Sequence, residues 1–352
     1  MRWGVALTTY KPPHWDQRSV FTNSLEFATE AEKLGFDDLW VLEHHFTEYG
    51  LCPDAILMAS YLLGMTKRIK VGTAITVAPL NHPVRLVEQV SLLDQLSSGR
   101  FLAGFGRGFF PLDFEIFGAN ASENHKILQE WIDIILTTWR QEGRLRWESD
   151  LIKIPEISIF PSKFTNPRPP IYVVGESPST IEWAASIGIP LIMNVPQSAE
   201  QIRAKLDLYA EIAESNGHDP RDIHHVISAV VHVADSRDEA YNDIVRNIEE
   251  WHDDAMRVAF SSDQLRNLPN YRFHWSQLQD AILKGESDAS VVVRRALEIS
   301  PVGTPADCIE AFQYLREQTG VDHYICGFEG TLDREKILKS MRRFALDVIP
   351  NI

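Results

Sequence analysis

Short apolar runs rich in β-branched residues alternate with stretches of helical period along the whole 352-residue chain. Strand-like runs fall at 3–8, 38–42, 69–75, 101–105, 171–174, 190–194, 224–233 and 323–328. Helical patterns follow them at 19–34, 54–66, 83–96, 123–139, 179–186, 199–214, 237–254 and 333–346. Runs that are apolar on both faces suit a parallel sheet, which is covered on both sides. Eight β/α repeats predict an α/β fold, a closed (β/α)8 TIM barrel in preference to an open doubly wound sheet. Chemistry is then expected at the C-terminal ends of the strands, where the βα loops converge.

The chain reads as a single barrel domain over 1–352 with two insertions, at about 141–170 and 255–301. The first holds two alternating runs, 152–154 and 157–159, that predict a short hairpin. The second is too long for an ordinary connection and carries Tyr271, Phe273 and Trp275 among polar residues. A mobile lid loop is the expectation there, with a plain surface excursion as the alternative. The helix over 54–64 is apolar in nearly every direction, from Ala55 to Leu63. An outer barrel helix should be half wetted, so this helix and its neighbour over 83–96 predict a dimer contact.

Asp and Glu outnumber Lys and Arg by 49 to 34 with no basic run, which argues against nucleic acid or an anionic membrane as partner. Cys52, Cys308 and Cys326 are odd in number and far apart, so neither a disulfide framework nor a thiolate zinc site is expected. Neither a signal-peptide pattern nor an apolar run of the ~18–20 residues that span a bilayer is present. A cytoplasmic enzyme acting on a small molecule is the expectation.

Several strand ends carry residues suited to chemistry. The fourth ends in Gly104-Phe105-Gly106-Arg107-Gly108, where small residues allow close backbone approach and Arg107 can pair with a phosphate. A dinucleotide fingerprint fails there, because Phe109 stands where a third glycine is required. The fifth ends in Gly175-Glu176-Ser177-Pro178-Ser179-Thr180 and opens a helix, which is an anion site or a simple N-cap. It misses the nucleophile elbow of hydrolases, since Ser179 replaces glycine. The second ends in Leu42-Glu43-His44-His45. Strand alternation keeps Glu43 and His45 from sharing a metal with His44, so no metal site is expected. A histidine there suits proton transfer near neutral pH, or is simply a packed, hydrogen-bonded one.

These motifs carry a family likeness. The chain resembles bacterial luciferase and related flavin-dependent monooxygenases, most closely the alpha-subunit branch, almost end to end. The resemblance rests on Leu42-Glu43-His44-His45-Phe46-Thr47-Glu48, Val71-Gly72-Thr73-Ala74, His82-Pro83-Val84-Arg85, Leu92-Leu93-Asp94-Gln95, Ser98-Gly99-Arg100-Phe101, Val173-Val174-Gly175-Glu176-Ser177, Glu182-Trp183-Ala184-Ala185 and Pro301-Val302-Gly303-Thr304-Pro305. It implies a (β/α)8 barrel that binds reduced FMN and, with O2, oxygenates an aldehyde, ketone or aromatic compound through a flavin hydroperoxide. By this likeness His44 assists the flavin chemistry as acid or base, with Glu43 beside it. Cofactor contacts fall to Ala74, Ile75, Gly106, Arg107, His125, Val174, Glu176, Ser177 and Thr180, with Ala74-Ile75 matching a cis peptide. Phe109, Val195 and Trp251 match the substrate pocket.

The chain departs from the alpha-subunit pattern at three positions. Gly106 replaces a reactive cysteine, Val195 a tryptophan, and His125 an arginine that binds phosphate. A dry, closable pocket is expected, because water destroys the activated flavin; Leu7, Phe105, Phe109, Phe110 and Trp251 are candidates for its walls. Without a nicotinamide fingerprint, a separate NAD(P)H:flavin reductase is the expected source of FMNH2. A light-emitting alkanal monooxygenase subunit, a deazaflavin-dependent oxidoreductase and a non-catalytic partner subunit are the rival readings. The assembly is expected to be a homodimer or a heterodimer with a related subunit.

Overall fold

Parallel strands with apolar side chains on both faces need cover on both, and closing the sheet on itself supplies it. In the computed structural model the barrel strands are β1 (Arg2–Leu7), β2 (Asp38–Val41), β3 (Lys70–Thr73), β4 (Phe101–Gly106), β5 (Ile171–Val174), β6 (Leu191–Asn194), β7 (Val226–Val230) and β8 (His323–Gly327). Every neighbouring pair is parallel, and pairing of Val71 with Phe101 and Gly72 with Leu102 joins β3 to β4 and closes the ring. The residues described are 1–108, 110–175, 177–194, 197–259, 293 and 296–352, without the side chains of 251, 252 and 255–259.

Around the strands lie α1 (Gln17–Leu34), α2 (Ala55–Met65), α3 (Pro83–Ser97), α4 (Pro111–Phe117), α5 (Asn124–Arg140), α6 (Pro178–Ser186), α7 (Ala199–Ser215), α8 (Arg237–Ala259), α9 (Pro305–Thr319) and α10 (Arg334–Arg343). Their ends follow sequence signals: Asp16 caps α1 and left-handed Gly35 ends it. Capping boxes open α7 at Ser198 and α9 at Thr304.

All eight strands expected from the sequence form, with four local corrections. The third ends at Thr73, and Thr76–Val77 resumes as a separate short strand beside Phe105 and Gly106. The seventh splits after Val230, and His232–Val233 pairs instead with Val302–Gly303. The hairpin pairs Arg144–Glu148 with Lys153–Ser158. Both runs expected to form it therefore fall mostly in its second strand, because Ser149 sets the turn by accepting from the N–H groups of Leu151 and Ile152. Helices α4 and α9 were not expected, although each begins with proline at N1 or N2 and ends on a left-handed glycine, Gly118 and Gly320. The expected lid over 255–301, with Tyr271, Phe273 and Trp275, lies almost wholly outside the described residues.

Strand alternation divides the core in two. Trp3, Val5, Leu7, Leu39 and Val41 face the helices, while Ala6, Trp40, Leu102, Tyr172, Ile192, Val226 and Ile325 fill the barrel interior. Leu7 and Phe105 thus belong to the outer core rather than to a pocket wall, a correction that follows from their strand phase. Beneath Trp40, buried Asp38 accepts from its Nε1 at 2.5 Å and pairs with His323 Nε2 at 2.9 Å. Removing the carboxylate leaves two buried donors unmatched. Asp38→Ala is expected to cost about 3–5 kcal/mol in urea unfolding, and a loss under about 1 kcal/mol would refute a stabilising role.

Candidate active site

The alternation that fills the interior continues past the strand ends and decides which side chains enter the barrel mouth. On β2, Trp40 lies inside and Leu42 packs against the same interior cluster, so His44 follows on that side. Glu43 turns the other way: its carboxylate accepts from the N–H of Ala55 at 3.3 Å and of Val77 at 3.1 Å. It therefore ties the end of β2 to the start of α2 and to the Thr76–Val77 strand. The structure brings Glu43 to His45, 3.5 Å away, and directs it at backbone.

The His44 ring meets Tyr49 edge-on at 4.7 Å and Phe110 at 5.4 Å between centroids. A Cβ on Gly50 would sit 2.5 Å from His44 Cδ2, so only glycine lets the ring lie there undisturbed. The Nε2 is buried and has no hydrogen-bond partner among the described residues. Burial, then the neighbouring His45, lowers the His44 pKa to about 3. At neutral pH His44 is therefore an uncharged imidazole in an apolar setting.

A second titratable group lies behind it. Burial opposes charge on His45, but its bond to Glu43 and the charges of Glu43, Asp113 and Asp54 raise its pKa overall. Asp113, buried on α4, is pushed up to about 7 by burial, with His45 opposing and Glu43 assisting.

From β3 round to β5 the rim offers groups able to hold an anion. The Ala74–Ile75 peptide is cis, and Ala74 and Val174 pack against the interior cluster. A Cβ on Gly106 would lie 2.1 Å from Ile75 Cδ1, so this glycine and that side chain fit each other. Arg107 follows directly after β4. Burial, then the Arg107 charge, lowers the pKa of His125, whose Nε2 is buried without a partner among the described residues. Asn124 donates to the Gly108 carbonyl at 3.4 Å and fixes the start of α5 beside this turn. After adjacent β5, Ser177 caps α6 without a capping hydrogen bond, its hydroxyl 2.9 Å from that of Thr180. A helix N-terminus, two hydroxyls, a guanidinium and an imidazole with an unmatched nitrogen suit a phosphate monoester.

Sequence reasoning missed Glu329, Tyr49 and Asp113. Ile325 lies inside the barrel, and counting on by twos from it reaches Glu329, so the period could have found this residue. The Glu329 carboxylate accepts from Thr8 N at 3.0 Å and from the Thr8 hydroxyl. Burial raises its pKa to about 7 against the opposing Thr8 bonds. Glu176, Phe109 and Val195 lie outside the described residues, as does the side chain of Trp251 on α8.

Eight parallel strands closed into a barrel, with a buried uncharged histidine at its mouth, define a (β/α)8 fold of the kind whose chemistry lies at the strand ends. The chain belongs to the luciferase-like monooxygenase family, whose model matches residues 1–323. It is 39% identical over 351 residues to an alkanal monooxygenase alpha chain from a Kryptophanaron alfredi symbiont, covering 99% of this chain and 98% of the relative. Among solved structures, a monooxygenase from Streptomyces bottropensis superposes with a TM-score of 0.79 at 25% identity over 99% of both chains. The oxygenating constituent of 3,6-diketocamphane monooxygenase from Pseudomonas putida, a type II Baeyer-Villiger enzyme in complex with FMN, does so at 0.77 and 21% identity, covering 100% and 99%. Among the described residues no helix is long and apolar enough to cross a membrane.

Proposed function

We propose that this protein is an FMN-dependent monooxygenase that takes reduced FMN from a separate reductase and, with O2, oxygenates a small organic substrate. The observation that carries this reading is the meeting, at one barrel mouth, of uncharged His44 with the anion rim of Arg107, His125, Ser177 and Thr180. Reduced FMN supplies the electrons with which O2 is split and one oxygen atom transferred.

The residues have separable tasks. Arg107, Ser177, Thr180 and His125 hold the phosphate, with Ala74, Ile75, Gly106, Val174 and Glu176 as the cofactor's other contacts. His44 Nε2 accepts a proton from the reacting groups, and Tyr49 and Phe110 keep water from it. Glu43 acts through position, by holding the end of β2. Glu329, close to its midpoint at neutral pH, can give or take a proton at the mouth beside the end of β1, where Thr8 holds it. Phe109, Val195 and Trp251 are proposed to shape the substrate pocket. Gly106 and Val195, where alpha subunits carry cysteine and tryptophan, favour dark oxygenation over light emission from long-chain aldehydes.

The test is an anaerobic titration with FMNH2 and with reduced deazaflavin, followed by O2 and a panel of aldehydes, ketones and aromatic substrates. Tight FMNH2 binding and oxygenated product support the proposal. Selective deazaflavin binding with hydride transfer refutes it, and photons with decanal would restore the luciferase reading.

The proposed assembly is a dimer through α2 and α3. Leu57 (69% exposed), Tyr61 and Met65 on α2 and Leu92 and Leu96 (72%) on α3 present an apolar face to water. The double variant Leu57→Glu/Leu96→Glu is expected to halve the mass measured by light scattering. An unchanged mass would place the contact elsewhere.

A further inference from the structure

The turn that carries Glu329 is held by a side chain of α8 that is not among the proposed cofactor or substrate contacts. Asn247, on α8, donates through Nδ2 to the carbonyls of Gly330 at 3.1 Å and Thr331 at 2.9 Å, and toward Asp243 O at 3.3 Å. Ile244 and Ile248 of the same helix pack against Gly330. One residue further, the Leu332 carbonyl lies 3.0 Å from His14 Nε2. The turn is thus fixed at its carbonyls by Asn247 and at its carboxylate by Thr8.

We propose that Asn247 is a positioning residue: by bridging the Gly330 and Thr331 carbonyls it keeps the Glu329 carboxyl on Thr8 at the mouth of the barrel. The proposal deepens the oxygenase reading, because it rests on Glu329 serving that site. An amide is suited to the task, since one short side chain supplies two hydrogens to successive carbonyls without bringing a charge beside them. Loss of the bridge frees the turn, and water then reaches Glu329. Its pKa should fall, because burial is the larger influence raising it and the Thr8 bonds oppose that influence.

The test reads the carboxyl directly in the full chain without flavin. Infrared difference spectra across a pH titration follow the Glu329 carboxylic acid band, assigned by its loss in Glu329→Gln. In Asn247→Leu the midpoint is expected to drop by about one pH unit or more toward the ordinary glutamate value. Asn247→Ser, which keeps one donor, should fall part of the way. Circular dichroism should match the parent throughout. An unmoved midpoint in folded Asn247→Leu overturns the proposal; if that variant does not fold, an unmoved midpoint in Asn247→Ser does so. FMN affinity is measured separately. A parent that fails to bind FMN removes the cofactor reading while the carboxyl titration still decides the role of Asn247.

Discussion

Replacing His44 by alanine is expected to slow oxygen transfer by about 10²-fold, the low end of the range for a lost general base because an imidazole held near pKa 3 is a weak one, while FMN affinity changes little. The asymmetry follows from placement. His44 stands at the end of β2 with its Nε2 unmatched among the described residues, whereas the anion rim is built on β4, β5, α5 and α6. An ordinary histidine loses its acceptor nitrogen below about pH 6.5. His44, held down to about 3 by burial and by His45, keeps that nitrogen free of a proton across the working range. The His44-dependent rate should therefore show no acid limb of its own near neutrality. Single-turnover mixing of FMNH2-loaded protein with O2 and substrate separates the two quantities, and His44→Phe controls for volume. A variant that oxygenates at the parent rate, or that loses flavin affinity in step with rate, would take the proton-transfer role away from His44.

The barrel was legible because its signal is redundant: each of eight strands announces itself by composition, and a two-residue error at an end leaves the topology unchanged. What was harder to read depends on phase. Leu7 and Phe105 look like pocket walls in a sequence, since both are apolar and close to strand ends. One position of alternation sends them to the helices instead. Glu43 presents the same difficulty, because it adjoins His44 in sequence yet points to the backbone of α2. Glu329 escaped notice for the opposite reason. No motif surrounds it, and its pairing with Thr8 joins the first strand to the last, 321 positions apart in the chain. Its environment comes from closure of the ring, which no local window contains. Helix α9, by contrast, carried every local signal and was overlooked beside the long segment before it.

Replacing Arg107 by alanine should weaken FMN binding by about 1.5–3 kcal/mol, or about 10- to 150-fold in Kd, the range for a charge-assisted hydrogen bond. Riboflavin, which has no phosphate, should bind parent and variant alike, so the expected signature is loss of the preference for FMN rather than loss of flavin binding. His125→Ala should cost less, because burial and the Arg107 charge disfavour its protonated form and leave it only a neutral hydrogen bond to offer. The two sites share one anion, so their effects should not add. With Arg107 gone, the pressure against protonation of His125 eases, and its midpoint should rise. Some affinity should then return as pH falls in Arg107→Ala but not in the double variant. Arg107→Lys keeps the charge while losing the planar fork, and should recover only part of the affinity. If Arg107→Ala weakened riboflavin and FMN equally, the guanidinium would be supporting the turn after β4 rather than holding the phosphate, and the anion rim would have to be placed on α6 alone.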